Sequence, residues 1–89
     1  MSDPRWALEV TPRARRDVRN LDPPVRLRVR EALERLAERP GDAQLVRLQG
    51  SDELRLRVGD WRVRLRLDVP ARTVVVLRVL PRGRAYRDR

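Results

Sequence analysis

The sequence predicts an α+β domain of order β-α-α-β-β-β, in which a helical hairpin packs on one face of a largely antiparallel sheet. Three observations predict it. Two cap-plus-proline signals, Thr11-Pro12 and Asp22-Pro23, open consecutive helical patterns. The stretch ELRLRVGDWRVRLRLD, Glu53 to Asp68, alternates apolar residues with arginine on both sides of Gly59-Asp60, and a β-branched run follows from Thr73 to Val79. Helices that precede a block of strands argue for segregated α and β layers around one core. The 89 residues read as a single domain, 1–89, with no repeat, linker or low-complexity segment.

Each element has its own local cause. Trp6, Leu8 and Val10 alternate with Ala7 and Glu9, the pattern of a first strand. After Thr11-Pro12, a short helix carries Ala14, Val18 and Leu21 along one side. After Asp22-Pro23, the residues Val25, Val29, Ala32, Leu33, Leu36 and Ala37 make an amphipathic stripe that Pro40-Gly41 ends. A short strand is expected around Leu45 to Leu48, then the hairpin. The turn Pro70-Ala71-Arg72 separates the hairpin from the last strand.

Composition narrows the function. The chain has no lysine, so all 22 of its basic residues are arginine, and its net charge of +9 favours polyanionic partners, nucleic acid or acidic protein. Without cysteine or histidine it has no disulfide framework, none of the usual zinc sites and not the commonest general base, so neither a metal nor a cofactor is expected. The core must be aliphatic, because Phe is absent and Trp6, Trp61 and Tyr86 are the only aromatic residues. The N-terminus MSDPRWALEV has no apolar signal region, and the longest aliphatic run is Val74 to Leu77. A soluble, cytoplasmic protein without membrane contact is the expectation.

The hairpin poses the functional question. With Gly59-Asp60 as the turn, Val58 faces Trp61, Leu56 faces Val63 and Leu54 faces Leu65, and the opposite surface pairs Arg57 with Arg62 and Arg55 with Arg64. Like charges directly opposite one another destabilise a sheet. The bland reading is a solvated basic face produced by arginine-rich composition, and the sharper one is a face that receives an anion. Trp61 shares the parity of Val63 and Leu65 and so belongs to the core side.

The segment VLRVLPRGRAYR, Val76 to Arg87, follows with Arg82 and Tyr86 where the chain leaves the sheet. Together with RLRVGDWRV and the RLQG at Arg47 to Gly50, this resembles the RelE/ParE toxin superfamily over nearly the whole chain. The resemblance implies a type II toxin that cuts messenger RNA in the ribosomal A site and is held inactive by an acidic cognate antitoxin. It assigns catalysis to Arg55, Arg57, Arg62, Arg82 and Tyr86, with Arg64, Arg78 and Arg84 as flanking RNA contacts. The implied reaction is metal-independent attack of a ribose 2′-OH on the adjacent phosphate. Guanidinium forks suit the charge that grows on the nonbridging oxygens.

The chain departs from the family pattern where a proton must move. Several RelE-type enzymes hold lysine, glutamate or histidine there, whereas arginine stays protonated. Glu53 is the nearby carboxylate that could serve as base. Leu54, Leu65 and Pro81 also differ from common family residues, which implies an altered substrate groove. Two further readings stay open: a ParE-like inhibitor of DNA gyrase without nuclease chemistry, and a degenerate family member that only binds RNA.

Overall fold

The structure, a computed structural model, describes residues 5–82. β1 (Ala7–Val10) leads into α1 (Pro12–Arg19) and α2 (Pro23–Glu38), followed by a 3₁₀ turn at Pro40–Asp42. Then come β2 (Leu45–Arg47), β3 (Leu54–Val58), β4 (Trp61–Asp68) and β5 (Thr73–Pro81). The α+β class is as expected, and the short strand near Leu45 is a full member of the sheet, whose order is β1-β5-β4-β3-β2. β1 runs parallel to β5 while every other neighbouring pair is antiparallel. The two helices carry the chain from β1 at one edge of the sheet to β2 at the other, and β5 returns to lie between β1 and β4.

The two helix starts achieve their ends differently. The Thr11 hydroxyl accepts from the Ala14 amide at 3.2 Å, a conventional N-cap. Asp22 occupies the equivalent position before α2 with extended backbone but makes no side-chain cap bond. Proline, whose ring presets the helical φ, is common to both starts. Arg26 then locks the two helices together by donating to the carbonyls of Leu21 at 2.9 Å and Val18 at 3.3 Å.

The core lies between the helices and one face of the sheet. Val63 and Leu65 of β4 and Val74, Val76 and Val79 of β5 meet Val29, Leu33 and Leu36 of α2, with Ala14 and Leu21 closing one end. Burying each of the larger aliphatic side chains contributes about 1.5–3 kcal/mol relative to leaving it in water. Trp61 is half-buried and packs against this core, as its parity required. No helix among the described residues is long and apolar enough to cross a membrane.

A β-bulge explains an irregularity in the last strand. The register runs Arg64 to Arg78 and then Leu65 to Val76, so Leu77 is the extra residue in β5. This lets Val76 and Val79 face the core although they differ in parity. β1 stops here, and α1 takes over the outer edge of β5. The Thr11 amide donates to the Val76 carbonyl at 3.1 Å, the Thr11 hydroxyl to the Leu77 carbonyl at 3.2 Å, and the Val79 amide to Asp17 Oδ2 at 2.9 Å.

Candidate functional site

The hairpin has the register read from its alternation, with Arg57 opposite Arg62 and Arg55 opposite Arg64. Pairing with β5 extends these into two cross-strand rows on the face away from the helices. One row runs Arg57, Arg62, Leu80 and the other Arg55, Arg64, Arg78. The fold resolves the repulsion between neighbouring cations differently in each row.

In the second row, carboxylates meet the charge. Arg64 donates through Nε and Nη2 to Glu53 Oε2 at 2.9 and 2.6 Å. Arg78 donates through Nε to Asp17 Oδ2 at 2.8 Å and through Nη2 to Asp17 Oδ1 at 3.4 Å. All four side chains are at most 24% exposed, so both pairs are largely shielded from water and salt. Arg64 and Arg78, expected as RNA contacts, are therefore braced to carboxylates within the structure. Glu53 likewise has an acceptor oxygen engaged by two donors.

In the first row, the turn provides the partners. Gly59 has φ +59°, which fits a two-residue hairpin turn with glycine at its first central position. Its carbonyl accepts long hydrogen bonds from Arg57 Nε at 3.5 Å and Arg62 Nη1 at 3.4 Å, and Arg62 Nη1 also reaches the Trp61 carbonyl at 3.1 Å. The neighbouring Asp60 carbonyl accepts the Arg82 amide at 2.9 Å. One turn thus gathers two guanidinium groups and anchors the main chain of a third arginine.

These contacts correct the picture of an evenly open basic face. Arg62 is only 5% exposed, because its side chain folds back onto the turn instead of extending into solvent. Arg57 and Arg82 are exposed, and Arg55 is half-buried. Of the expected catalytic set, Arg57, Arg62 and Arg82 converge on the turn, with Arg55 one row further back. Arg84 and Tyr86 lie outside the described residues.

Asp17 was not singled out by sequence, although it braces both a site-face arginine and the edge of β5. The available signal was a lone acidic residue in the run RARRDVR. Nothing in the local sequence identifies its partner, which lies 61 residues away.

Residues 8–86 match the family described as the ParE toxin of the type II toxin–antitoxin system parDE. The chain is similar to a chain in the crystal structure of the toxin-antitoxin complex RelBE2 from Mycobacterium tuberculosis, at 31% identity and TM-score 0.75, covering 88% of this chain and 99% of the other. The archaeal RelE-RelB complex from Pyrococcus horikoshii OT3 gives 22% identity and TM-score 0.75, with 89% and 97% covered. The isolated E. coli RelE toxin gives 22% identity and TM-score 0.75, with 85% and 83% covered. These last two are likenesses of fold. No curated protein sequence matches significantly.

Proposed function

The chain belongs to the RelE/ParE toxin superfamily, as a type II toxin–antitoxin toxin, and on that premise we propose that it is an endoribonuclease cutting ribosome-bound mRNA. The observation that carries this reading is the gathering of Arg57, Arg62 and the Arg82 main chain by the Gly59-Asp60 turn. Three cationic residues held at one end of a sheet suit the phosphate of a single-stranded backbone better than they suit a protein core.

The reaction needs no cofactor. A ribose 2′-oxygen attacks the adjacent phosphorus, the bond from phosphorus to the 5′-oxygen breaks, and the products are a 2′,3′-cyclic phosphate and a 5′-hydroxyl. The proton lost from the 2′-OH must leave, and the departing 5′-oxygen must gain one. Arg57 and Arg82 neutralise charge on the nonbridging oxygens, and the buried Arg62, donating to the Gly59 and Trp61 carbonyls, supports the turn that positions them. Losing one such positioned donor commonly costs about 10²–10³ in rate. Tyr86 would stack on an unpaired base or orient the 2′-OH.

Complexes of RelE-type relatives with RelB antitoxins support a cognate antitoxin as this chain's partner. The +9 charge favours an acidic one.

A specific observation favours a second reading. Arg64 already holds an oxygen of Glu53, the carboxylate expected as base, so a ready base for the 2′-OH is lacking, and the matching family description is that of ParE. Under that reading the chain inhibits DNA gyrase by binding it. Mapping mRNA 5′ ends after induction, beside a gyrase supercoiling assay, separates the two. A-site-phased cuts that disappear with Arg82→Ala and Tyr86→Phe support the nuclease, whereas gyrase inhibition without cuts supports the rival.

A further inference from the structure

The hairpin turn also meets α2. A Cβ on Gly59 would stand 3.7 Å from Arg28 Nη1, so a guanidinium of the helix lies against the residue whose carbonyl already takes Arg57 and Arg62. Cationic side chains from α2, β3 and β4 thus close on one glycine. Like charges at such separations repel, and Arg28 is exposed, so nothing in the packing forces it there.

The helix offers a simpler partner. Glu31 follows Arg28 by three positions and precedes Arg35 by four, the spacings at which helical ion pairs form. Arg30 uses such a spacing with Glu34 at 3.4 Å. Arg28 and Arg35 do not, and neither has a hydrogen-bond or ion-pair partner among the described residues.

Spacing puts these two arginines on one stripe of α2, with Arg28, Ala32 and Arg35 at i, i+4 and i+7. Ala32 and Arg35 line a groove of about 440 Å³ between α2 and β3, with Leu56 and Arg57 on the strand side. Arg57 therefore belongs to this groove as well as to the turn, and the small Ala32 leaves room between the two helical guanidinium groups. Glu38 lies at the far end, beside Arg39 and Asp42, which form a loose exposed pair at 3.9 Å.

We propose that Arg28 and Arg35 are substrate-binding residues: the RNA strand leaving the phosphate at Arg57 continues along the groove between α2 and β3, and further phosphates meet Arg28 and Arg35. Uncompensated guanidinium groups along an open groove suit the backbone of a flexible single strand. The carboxylates of Glu38 and Asp42 mark where the track stops. That the ligand is RNA rests on the nuclease reading, whereas the meeting of α2 with the turn rests on Arg28 and Gly59.

The probe is a single strand of about eight nucleotides, 2′-O-methylated throughout so that no 2′-oxygen can attack. Arg28→Ala and Arg35→Ala should each flatten the slope of log affinity against log salt concentration by about 0.7, and Arg30→Ala should leave it unchanged. Arg28→Lys and Arg35→Lys, which keep the charge, should retain the slope. Should an alanine variant fail to fold, the unmodified chain decides: bound RNA should shield Arg28 and Arg35, but not Arg30, from an arginine-directed dicarbonyl reagent. Slopes that follow Arg57 and Arg82 but ignore Arg28 and Arg35, or shielding that misses both helical residues, would overturn the groove and leave the turn site standing. Slopes that ignore all of these arginines, or absence of binding, would overturn both.

Discussion

The carboxylate of Asp17 on α1 and the guanidinium of Arg78 on β5 form a two-point ion pair at 2.8 and 3.4 Å, and the same carboxylate accepts the Val79 amide at 2.9 Å. One side chain therefore ends the free edge of β5 and neutralises a site-face arginine. Removing one partner of a shielded pair strands the other charge, so Asp17→Ala should destabilise the fold by about 2–4 kcal/mol in urea unfolding. Combining it with Arg78→Met should recover part of that loss, because no stranded cation remains. Simple addition of the two single effects would show that the pair is not coupled.

The turn glycine makes a second test. At φ +59° a side chain is strained, yet a Cβ on Gly59 would meet only Arg28 Nη1 at 3.7 Å, an ordinary contact. Gly59→Ala should therefore cost about 1–2 kcal/mol from backbone conformation alone, and Gly59→Asn less, since asparagine tolerates the left-handed region. Thermal or denaturant unfolding measures both. If the carbonyl of residue 59 shifts as the turn adjusts, cleavage should fall more than stability does, because Arg57 and Arg62 both lean on it.

The hairpin was legible because period-2 alternation and a Gly-Asp turn act over a few residues, and its register followed from them down to each arginine pair. The helices were legible through proline and stripe spacing. What sequence could not convey was long-range. The bulge at Leu77 breaks the alternation that a strict reading of VVVLRV assumes, and the partners of Arg64 and Arg78 are carboxylates chosen by tertiary proximity. The inward fold of Arg62 depends on carbonyls that only the closed turn presents. Sequence thus placed arginines on a face without telling which of them the protein already satisfies.

That distinction bears on Glu53. As a base it would supply about 10²–10⁴ in rate, which Glu53→Gln would remove. As a brace for Arg64, its loss should leave mRNA cleavage within about tenfold of the parent while lowering stability by roughly 1–3 kcal/mol, the cost of weakening a shielded charged hydrogen bond. The two hydrogen bonds from Arg64 to a single oxygen favour the brace. Single-turnover cleavage together with urea unfolding reads both quantities, and a drop beyond a hundredfold in rate with intact stability would restore Glu53 as a catalytic group.

Exposed and buried arginines around the turn should also separate in how binding responds to salt. Arg57 and Arg82 are exposed, so phosphate contacts by them release counterions from the RNA on binding. For single-stranded RNA, each such contact contributes about 0.7 to the slope of log affinity against log salt concentration. Arg57→Ala and Arg82→Ala should each flatten that slope by about this amount and leave urea stability nearly unchanged. Arg62→Ala should lower stability by about 1–3 kcal/mol, since its side chain bridges the carbonyls of Gly59 and Trp61 inside the turn. Arg62→Lys keeps the charge but not the geometry that reaches two carbonyls, and should fall between the two in stability. Binding slopes that ignore Arg57 and Arg82 would mean that RNA, if it binds, does so elsewhere on the chain.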